Sequence, residues 1–299
     1  MMDTKRTGTY AVMGATGQTG GAALNILLER GARARAIVRD EAKGLRWADR
    51  GAEIAIADAT DVDALESAFE GCAAVYVMNP PAYMEPDLFA RSRKVHSAVL
   101  QAAGRAGVGR LVALSSIGGQ HAKGTGNIAT THDLEVRLSN YEGAATILRA
   151  ANFMENWAWS MGPVREAGVL PSMFEPLDRA FPMVSAQDVG TVAADLMLEA
   201  GSDKRIVELQ GPRDYSANDA AAELSRLLGR PVQAAAVSRA ARASVFEQQG
   251  MPPVTVEAFV EMYDGFNSGL IAFEGGHDTR RGDTTLREAL VRVIVGSIR

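Results

Sequence analysis

A run of glycines near the start of the chain, in YAVMGATGQTGGAAL at residues 10–24, constrains the fold more than any other feature. Gly14, Gly17 and Gly20 are three residues apart and separate an apolar, strand-like run from an amphipathic, helix-like run. Such a turn lets the backbone reverse tightly, exposes main-chain N–H groups and lets the helix pack closely on the strand. The spacing therefore predicts the first βαβ unit of a parallel sheet, with a phosphate-binding turn at its carboxyl edge.

The following residues continue this alternation of short β-rich runs and longer helical runs. Strands with helical crossovers form a parallel sheet that is covered on both faces. We therefore predict an α/β fold, a doubly wound parallel Rossmann sheet. Its six predicted strands are residues 9–13, 34–38, 53–57, 73–78, 110–115 and 145–149.

The rhythm changes after about residue 150, where longer helices with isolated strands follow. We predict that residues 1–152 form the dinucleotide-binding unit and that residues 181–200 return to it. Residues 153–180 and 201–299 would form a smaller, mainly helical substrate region. Its docking at the carboxyl edge of the sheet would create a cleft.

Three local patterns predict where helices begin and end. Gly31 follows an apolar helical stripe, as a C-terminal glycine does. Ser185 precedes Asp188, and Ser216 precedes Asp219, by the three residues of a capping box.

Composition excludes several classes of function for this chain of 299 residues. With 31 basic and 36 acidic residues the net charge is -5, which argues against a nucleic-acid partner. Cys72 is the only cysteine, so an internal disulfide is excluded and a reducing compartment is favoured. No apolar run approaches the roughly 20 residues that span a bilayer, and the leader MMDTKRTGT has no apolar signal region. We expect a cytoplasmic protein without a membrane partner.

The end of the second predicted strand, AIVRD, indicates which dinucleotide the turn holds. An arginine there binds the 2′-phosphate of NADP, whereas an acidic residue accepts hydrogen bonds from the ribose of NAD. Arg39 favours NADP(H), with Asp40 as a helix cap; the rival interpretations are that Asp40 is the ribose ligand or that Arg39 is only a solvated charge. Asp58 is placed to meet the adenine edge, although a helix N-cap would look the same. The predicted cofactor-binding residues here are Gly14, Thr16, Gly17, Gln18, Thr19, Gly20, Arg39, Asp58, Ala59 and, at the end of strand five, Ser115.

Several stretches in a fixed order resemble the NmrA-like branch of the atypical short-chain dehydrogenases. They include VMGATGQTGG, AIVRD, VYVMNPP, LVALSSIGG and SAQDVGTVAADLM. The resemblance implies a Rossmann-like domain that binds NADP(H) and a small C-terminal domain over the nicotinamide. It also implies that Met78, Asn79 and Pro80 lie beside the nicotinamide ribose. Members of the family include quinone and phenylpropanoid reductases, and also redox sensors that bind regulatory partners without chemistry.

The sequence lacks the tyrosine and lysine that typical short-chain dehydrogenases carry four residues apart. Between Ser116 and Tyr141 there is no tyrosine, and the one lysine is Lys123 in a glycine-rich loop. If Glu135 and Arg149 are matched to the glutamate and arginine of related extended enzymes, Thr131 takes the lysine position and Asn127 the tyrosine position. Neither readily replaces a phenol activated by an ammonium group.

The remaining catalytic candidates are His132 and Asn79. His132 can donate a proton near neutral pH, although a lone histidine is often structural. Tyr76 lies inside strand four and is expected in the core. The four histidines show no ligand-type spacing, so no metal site is predicted.

Apolar residues follow the last strand of the predicted cofactor unit, among them Phe153 and Trp157. Such a cluster would suit a flat aromatic substrate over the nicotinamide. The competing interpretation is that these residues form core between the two units.

Two functions remain open at this stage. The first is an NADPH-dependent reductase of quinones or other conjugated electrophiles, since quinone reduction can take its proton from water. The second is a non-catalytic NADP(H) sensor that regulates a protein partner. The sequence leaves the oligomeric state open.

Overall fold

The structure, a computed structural model, describes residues 8–201 and 203–296. Residues 1–7 of the leader lie outside the described residues. The strands, in chain order, are β1 (Thr9–Val12), β2 (Arg33–Val38), β3 (Glu53–Ile56), β4 (Cys72–Val77), β5 (Arg110–Ser116), β6 (Ala144–Ala150), β7 (Asn152–Phe153), β8 (Val169–Ser172), β9 (Phe181–Val184), β10 (Arg205–Gln210), β11 (Asp214–Tyr215), β12 (Gln233–Ala236) and β13 (Asp278–Arg281).

Eleven α-helices lie between and after these strands in the described residues. They are α1 (Gln18–Glu29), α2 (Glu41–Ala48), α3 (Val62–Phe69), α4 (Leu88–Arg105), α5 (Ala129–Ser139), α6 (Met161–Ala167), α7 (Ala186–Leu198), α8 (Ala217–Leu228), α9 (Arg239–Gln248), α10 (Pro253–Ser268) and α11 (Leu286–Gly296). Two 3-10 helices cover Gly126–Ile128 and Met154–Ser160. No helix in the described part of the chain is long and apolar enough to cross a membrane.

The central sheet has eight strands in the order β13-β10-β6-β5-β4-β1-β2-β3, and all neighbours are parallel. The six strands predicted from the sequence are confirmed, each with bounds within one residue of the prediction. In β1, Val12 is opposite Ala36 of β2 and Tyr76 of β4. The three strands therefore end side by side and bring the segments that follow them to one edge.

Apolar side chains leave both faces of this sheet, which explains why strands such as β1 and β4 read as continuous apolar runs. On one face, Val12 belongs to a core with Leu24 of α1 and Val189 of α7. On the other face, Ala11 belongs to a core with residues of α3, α4 and α5. Helix α7 lies against α1 so closely that a Cβ at Gly190 would be 2.4 Å from the Cβ of Ala22. Residues 186–198 thus belong to the same helix layer as α1.

The last two strands of the sheet come from a range that the sequence assigned to the smaller region. Strand β10 pairs with β6, and β13 pairs with β10, so parts of residues 201–299 belong to the central sheet. RIVELQ mixes apolar with charged residues and DTRR is wholly polar, so both runs carry a weak strand signal. The division of the chain into two units as a whole stays a prediction.

A second apolar core joins the two short sheets, β11-β9-β7 and β12-β8, to α6, α8, α10 and α11.

The predictions of helix ends from the sequence are confirmed in part. Gly31 has a φ of 69° after α1, and Ser216 and Asp219 form the expected capping box of α8. Ser185 caps α7, but Asp188 accepts hydrogen bonds from Thr284 and so does not complete a box.

Candidate functional site

The glycine turn lies between β1 and α1 at the carboxyl edge of the sheet. Gly14 has a φ of 64°, a conformation that favours glycine, and its carbonyl accepts a hydrogen bond from the Gly17 amide at 2.8 Å. A Cβ at Gly20 would lie only 2.4 Å from the Gly14 carbonyl oxygen. The first turn of α1 therefore packs directly on the backbone of the loop.

The amino terminus of α1 presents free main-chain donors. Its N-cap is Gly17, and no described side chain caps the first amides. Thr16, Gly17 and Gln18 are exposed, so the predicted loop residues border open space. Thr19 is different, because it is buried and its Oγ1 accepts a hydrogen bond from the Tyr76 hydroxyl at 3.1 Å. An anion can approach this end of the helix and meet N–H groups together with the positive end of the helix dipole.

Arg39 and Asp40 follow β2 at the same edge. Asp40 is the N-cap of α2, and its carboxylate accepts a hydrogen bond from the Ala42 amide at 3.0 Å. Arg39 is exposed and forms no ion pair with a described residue. The expected cap is therefore confirmed, and the Arg39 guanidinium is free to bind an anion.

Asp58 and Ala59 follow β3. The Asp58 carboxylate accepts hydrogen bonds from the hydroxyl and the amide of Thr60 at 2.6 and 2.9 Å, and one from Arg91 at 3.3 Å. These contacts, led by the Thr60 hydroxyl, hold the pKa of Asp58 below its usual value. The N-cap of α3 is Asp61, so the alternative that Asp58 caps this helix is wrong. Ala59 is buried, and contact of either residue with adenine stays a prediction.

The loop after β4 lies next to the glycine turn. A Cβ at Gly14 would be 3.2 Å from the Sδ of Met78, so this methionine packs on the turn. The Asn79 side chain donates a hydrogen bond to the Ser92 hydroxyl at 2.9 Å. Its Oδ1 is buried and accepts no hydrogen bond from any described residue. A buried amide oxygen without a donor is costly, so this atom is suited to accept from a ligand. Pro80 follows, half-buried.

A buried charged network lies beneath the end of β5. Ser115 donates to Glu135 at 2.5 Å, and Arg149 donates to the same carboxylate through two nitrogens at 3.0 and 2.7 Å. Arg149 also donates to Glu274 at 2.6 Å and thereby holds the pKa of Glu274 below its usual value. The pairing of Glu135 with Arg149, used above to match the sequence, is thus a contact in the structure. Ser115 is buried and bound to this network.

The positions matched to the missing tyrosine and lysine lie at the start of α5. Asn127 is in the 3-10 turn before the helix, and its Oδ1 is buried with no described hydrogen-bond partner. The Thr131 hydroxyl donates to the Ile128 carbonyl at 2.8 Å. His132 is half-buried and its Nδ1 donates to the Gly119 carbonyl at 2.9 Å, which leaves Nε2 as its second nitrogen. Lys123 is exposed.

The predicted aromatic residues divide between core and edge. Trp157 is only 5% exposed and lies 6.1 Å, centroid to centroid, from Phe174 in the core of the smaller region. The structure therefore favours the core interpretation for Trp157. Phe153 is half-buried beside the central core, and a substrate role for it stays a prediction. Tyr76, as expected, is fully buried.

An aromatic group that sequence reasoning missed contacts the loop after β4. Tyr83, four residues after Asn79, has its ring 5.0 Å from Phe259 of α10 and 6.5 Å from Trp159. Burial raises the pKa of Tyr83. No pattern in the sequence connects these three rings, because they are far apart along the chain. No described group of three or more histidine, cysteine or acidic side chains is arranged to bind a metal.

Comparisons with known proteins agree with this geometry. The chain is 28% identical over 255 residues to an NAD(P)H azoreductase of Xenophilus azovorans, covering 84% of this chain and 85% of that one. It is 27% identical over 290 residues to quinone oxidoreductase 2 of Escherichia coli, covering 94% and 96%. The crystal structure of that NADPH-dependent quinone oxidoreductase complexed with NADPH matches with a TM-score of 0.74 and 25% identity, covering 95% of this chain and 99% of that chain. A model of the NmrA-like family matches residues 6–274, and the chain therefore belongs to the NmrA-like family.

Proposed function

We propose that this protein is an NADPH-dependent reductase of quinones or other conjugated electrophiles. The observation that carries the proposal is the uncapped glycine turn with the unpaired Arg39 beside it, at the edge where β1 and β2 end. Relatives named as an azoreductase and a quinone oxidoreductase support the same reaction class. One of them has been solved with NADPH.

The residues at this edge fit the parts of NADP(H). The amides at Gly17 and the first turn of α1 would hold the pyrophosphate, and Arg39 would bind the 2′-phosphate. The free Oδ1 of Asn79 would accept a hydrogen bond from the nicotinamide ribose, which would supply the donor that this buried oxygen lacks. When bound, NADPH supplies a hydride.

The chain's own residues would position the acceptor and deliver a proton. Reduction of a quinone to its hydroquinone takes one hydride and one proton. His132, fixed through Nδ1 by the Gly119 carbonyl, would present Nε2 as a proton donor when the ring is protonated. Otherwise water supplies the proton. The oxyanion left on the reduced quinone is a stabilised, phenolate-type anion, so it can form without an activated phenol as proton donor. The reaction thus requires no Tyr–Lys pair.

The acceptor would lie between the Asn79 loop and the smaller region. Tyr83, four residues after Asn79 and packed on Phe259, offers flat apolar surface, and a second such surface would come from the half-buried Phe153, which follows β6. Aromatic faces favour planar conjugated acceptors such as quinones or azo dyes. Trp157 would act through packing alone.

The rival function, a sensor that passes NADP(H) occupancy to a protein partner, is less well supported because the named relatives are reductases. With one cysteine in the chain and a reduced nicotinamide as donor, we further propose a cytoplasmic location.

The test is NADPH oxidation by the purified protein, with binding of NADPH measured first. Naphthoquinones, benzoquinones and an azo dye serve as acceptors at graded concentrations. We expect saturable turnover that falls in Asn79→Ala and, at acidic pH where the ring can carry the donated proton, in His132→Gln, with the difference from wild type shrinking as the pH rises. His121→Gln is the matched control, since His121 is half-buried in the loop after β5 and should leave the rate unchanged. Tight NADPH binding without turnover for any acceptor would reject the reductase and favour the sensor.

A further inference from the structure

A groove runs between α1 and α2, beginning at the glycine turn. It has a volume of about 370 Å³ and is lined by Gly17, Gln18, Gly21, Arg46, Trp47 and Arg50, among others. We call it the α1–α2 groove. Its upper end is formed by Gly17 and Gln18, which are exposed residues of the phosphate-binding turn. The groove is therefore continuous with the cofactor site.

Trp47 fixes the floor of this groove. Its ring is 6% exposed, and its Nε1 donates a hydrogen bond to the Ala15 carbonyl at 2.9 Å. A Cβ at Gly21 would be 3.6 Å from the Trp47 ring, an ordinary van der Waals distance, and 3.3 Å from the Ala15 carbonyl oxygen, which is tight, so α1 packs closely on the loop and the ring here. The indole is thereby held against the loop rather than left free to rotate.

Two guanidinium groups stack on this ring. The Cζ of Arg46 lies 4.9 Å from the ring centroid, and that of Arg50 lies 5.2 Å from it. Arg46 also reaches the Ala15 carbonyl, 3.4 Å from its Nη2. Stacking restricts a flexible arginine and lowers the entropy lost when it binds an anion. Neither arginine forms an ion pair with a described residue, so both charges are unneutralised.

Arg39 lies directly after β2, one residue before the Asp40 cap of α2. Strands β1 and β2 are paired neighbours, so the glycine turn and Arg39 follow adjacent strands at the same edge of the sheet. Arg46 touches the carbonyl of Ala15 in that turn from α2. Two exposed guanidiniums thus come from the β2–α2 segment at this edge, Arg39 directly after the strand and Arg46 six residues beyond the α2 cap.

We infer that Arg46, held on Trp47, is a second ligand of the cofactor's 2′-phosphate and shares with Arg39 the selection of NADP(H) over NAD(H). This inference rests on the proposed function. A phosphate monoester carries close to two negative charges at neutral pH, and a second guanidinium supplies donors that one arginine cannot. NAD(H) carries a hydroxyl in place of the 2′-phosphate, so Arg46 would add no comparable binding energy for it.

The experiment measures binding, not turnover, by calorimetry with NADPH, NADH and 2′,5′-ADP. We expect Arg46→Met to weaken NADPH and 2′,5′-ADP about tenfold and NADH less than about twofold, as expected for the loss of one charge-assisted contact. Arg46→Lys keeps the charge but not the planar fork, and should restore part of the loss. Arg50→Met is the matched control, because Arg50 stacks on the same ring but makes no hydrogen bond to Ala15. It should change NADPH binding less than about threefold.

The outcomes separate the two proposals. Unchanged NADPH binding in Arg46→Met, or equal losses for NADPH and NADH, would overturn the role of Arg46 while leaving the reductase in place. Loss of NADPH binding in Arg50→Met as large as in Arg46→Met would also overturn it, because the effect would then belong to general surface charge. A wild-type protein that binds neither dinucleotide would overturn the proposed function together with this inference.

Discussion

Replacing Gly20 with alanine should disrupt the cofactor turn more than adding a methyl group at either of its other two glycines, Gly14 and Gly17. The added Cβ would lie 2.4 Å from the Gly14 carbonyl oxygen and 2.6 Å from the Met13 carbonyl oxygen, whereas real Cβ contacts essentially never fall below 3.0 Å. Both neighbours are backbone atoms, so no side chain can rotate away. The turn or the helix must move by at least about 0.6 Å to relieve the shortest contact.

That displacement has two measurable consequences. Overpacking of this size costs about 1–3 kcal/mol in the free energy of unfolding. It also moves the N–H groups at Gly17 relative to the pyrophosphate, and one lost hydrogen bond to a charged group costs about 1.5–3 kcal/mol. NADPH affinity should therefore fall by about tenfold to a hundredfold. Urea unfolding gives the first quantity, and calorimetric titration with NADPH gives the second.

Gly104→Ala is the matched control for this substitution. Gly104 lies inside α4, and a Cβ there would meet nothing within 4 Å. Alanine should stabilise that helix by up to about 1 kcal/mol and leave NADPH binding unchanged. A Gly20→Ala protein with wild-type stability and wild-type affinity would refute the close-packing argument, because it would show that the helix and turn have room for a methyl group.

Three further predictions concern charged groups. Arg39→Glu should weaken NADPH binding at least about tenfold and NADH binding far less, since it replaces a phosphate ligand by a repelling charge; equal losses in calorimetry would sink the NADP(H) assignment. Arg149→Met should lower the free energy of unfolding by about 3–5 kcal/mol, because it leaves the buried Glu135 without its cation; a loss below about 1 kcal/mol in urea titration would contradict the network. Burial lowers the pKa of His96 below 6.5 despite its hydrogen bond with Asp133, so the neutral ring contributes stability above about pH 6.5 that is lost as the pH falls through the lower folded value. The unfolding free energy of the wild type should therefore drop more than that of His96→Asn between about pH 7.5 and 5.5, and parallel curves would disprove this.

Much of the fold was predictable because local signals and tertiary structure agree. Most strands from β1 to β6 carry apolar residues on both faces and stand out as runs, although β2 includes Arg33 and Arg35 and β3 begins with Glu53. The glycine turn and the Asp40 cap depend on residues adjacent in sequence, and both are found as predicted. The strands β10 and β13 were missed because neither has a continuous apolar run: RIVELQ, an interior strand, mixes charged with apolar residues, and DTRR, the edge strand, is wholly polar.

The sequence predicted the site only where its residues lie together in a single loop. Asn79 was named because of the family resemblance, yet the arrangement that leaves its buried oxygen free depends on Ser92, which lies on helix α4. The contact of Tyr83 with Phe259 joins segments that no periodicity connects. Arg46 looked like an ordinary helix charge, because its stacking on Trp47 becomes visible only with the glycine turn beside it.

The order of strands has a consequence for the nascent chain on the ribosome. Strand β6 is buried along most of its length and ends at residue 150, but the neighbour that covers its outer edge, β10, begins only at residue 205. Until that segment emerges, the growing chain presents an unpaired, apolar strand edge, which is a template for pairing with other chains. A polypeptide terminated between these two points should aggregate during synthesis. The β6 side of the central sheet is thus completed by residues that are synthesised late.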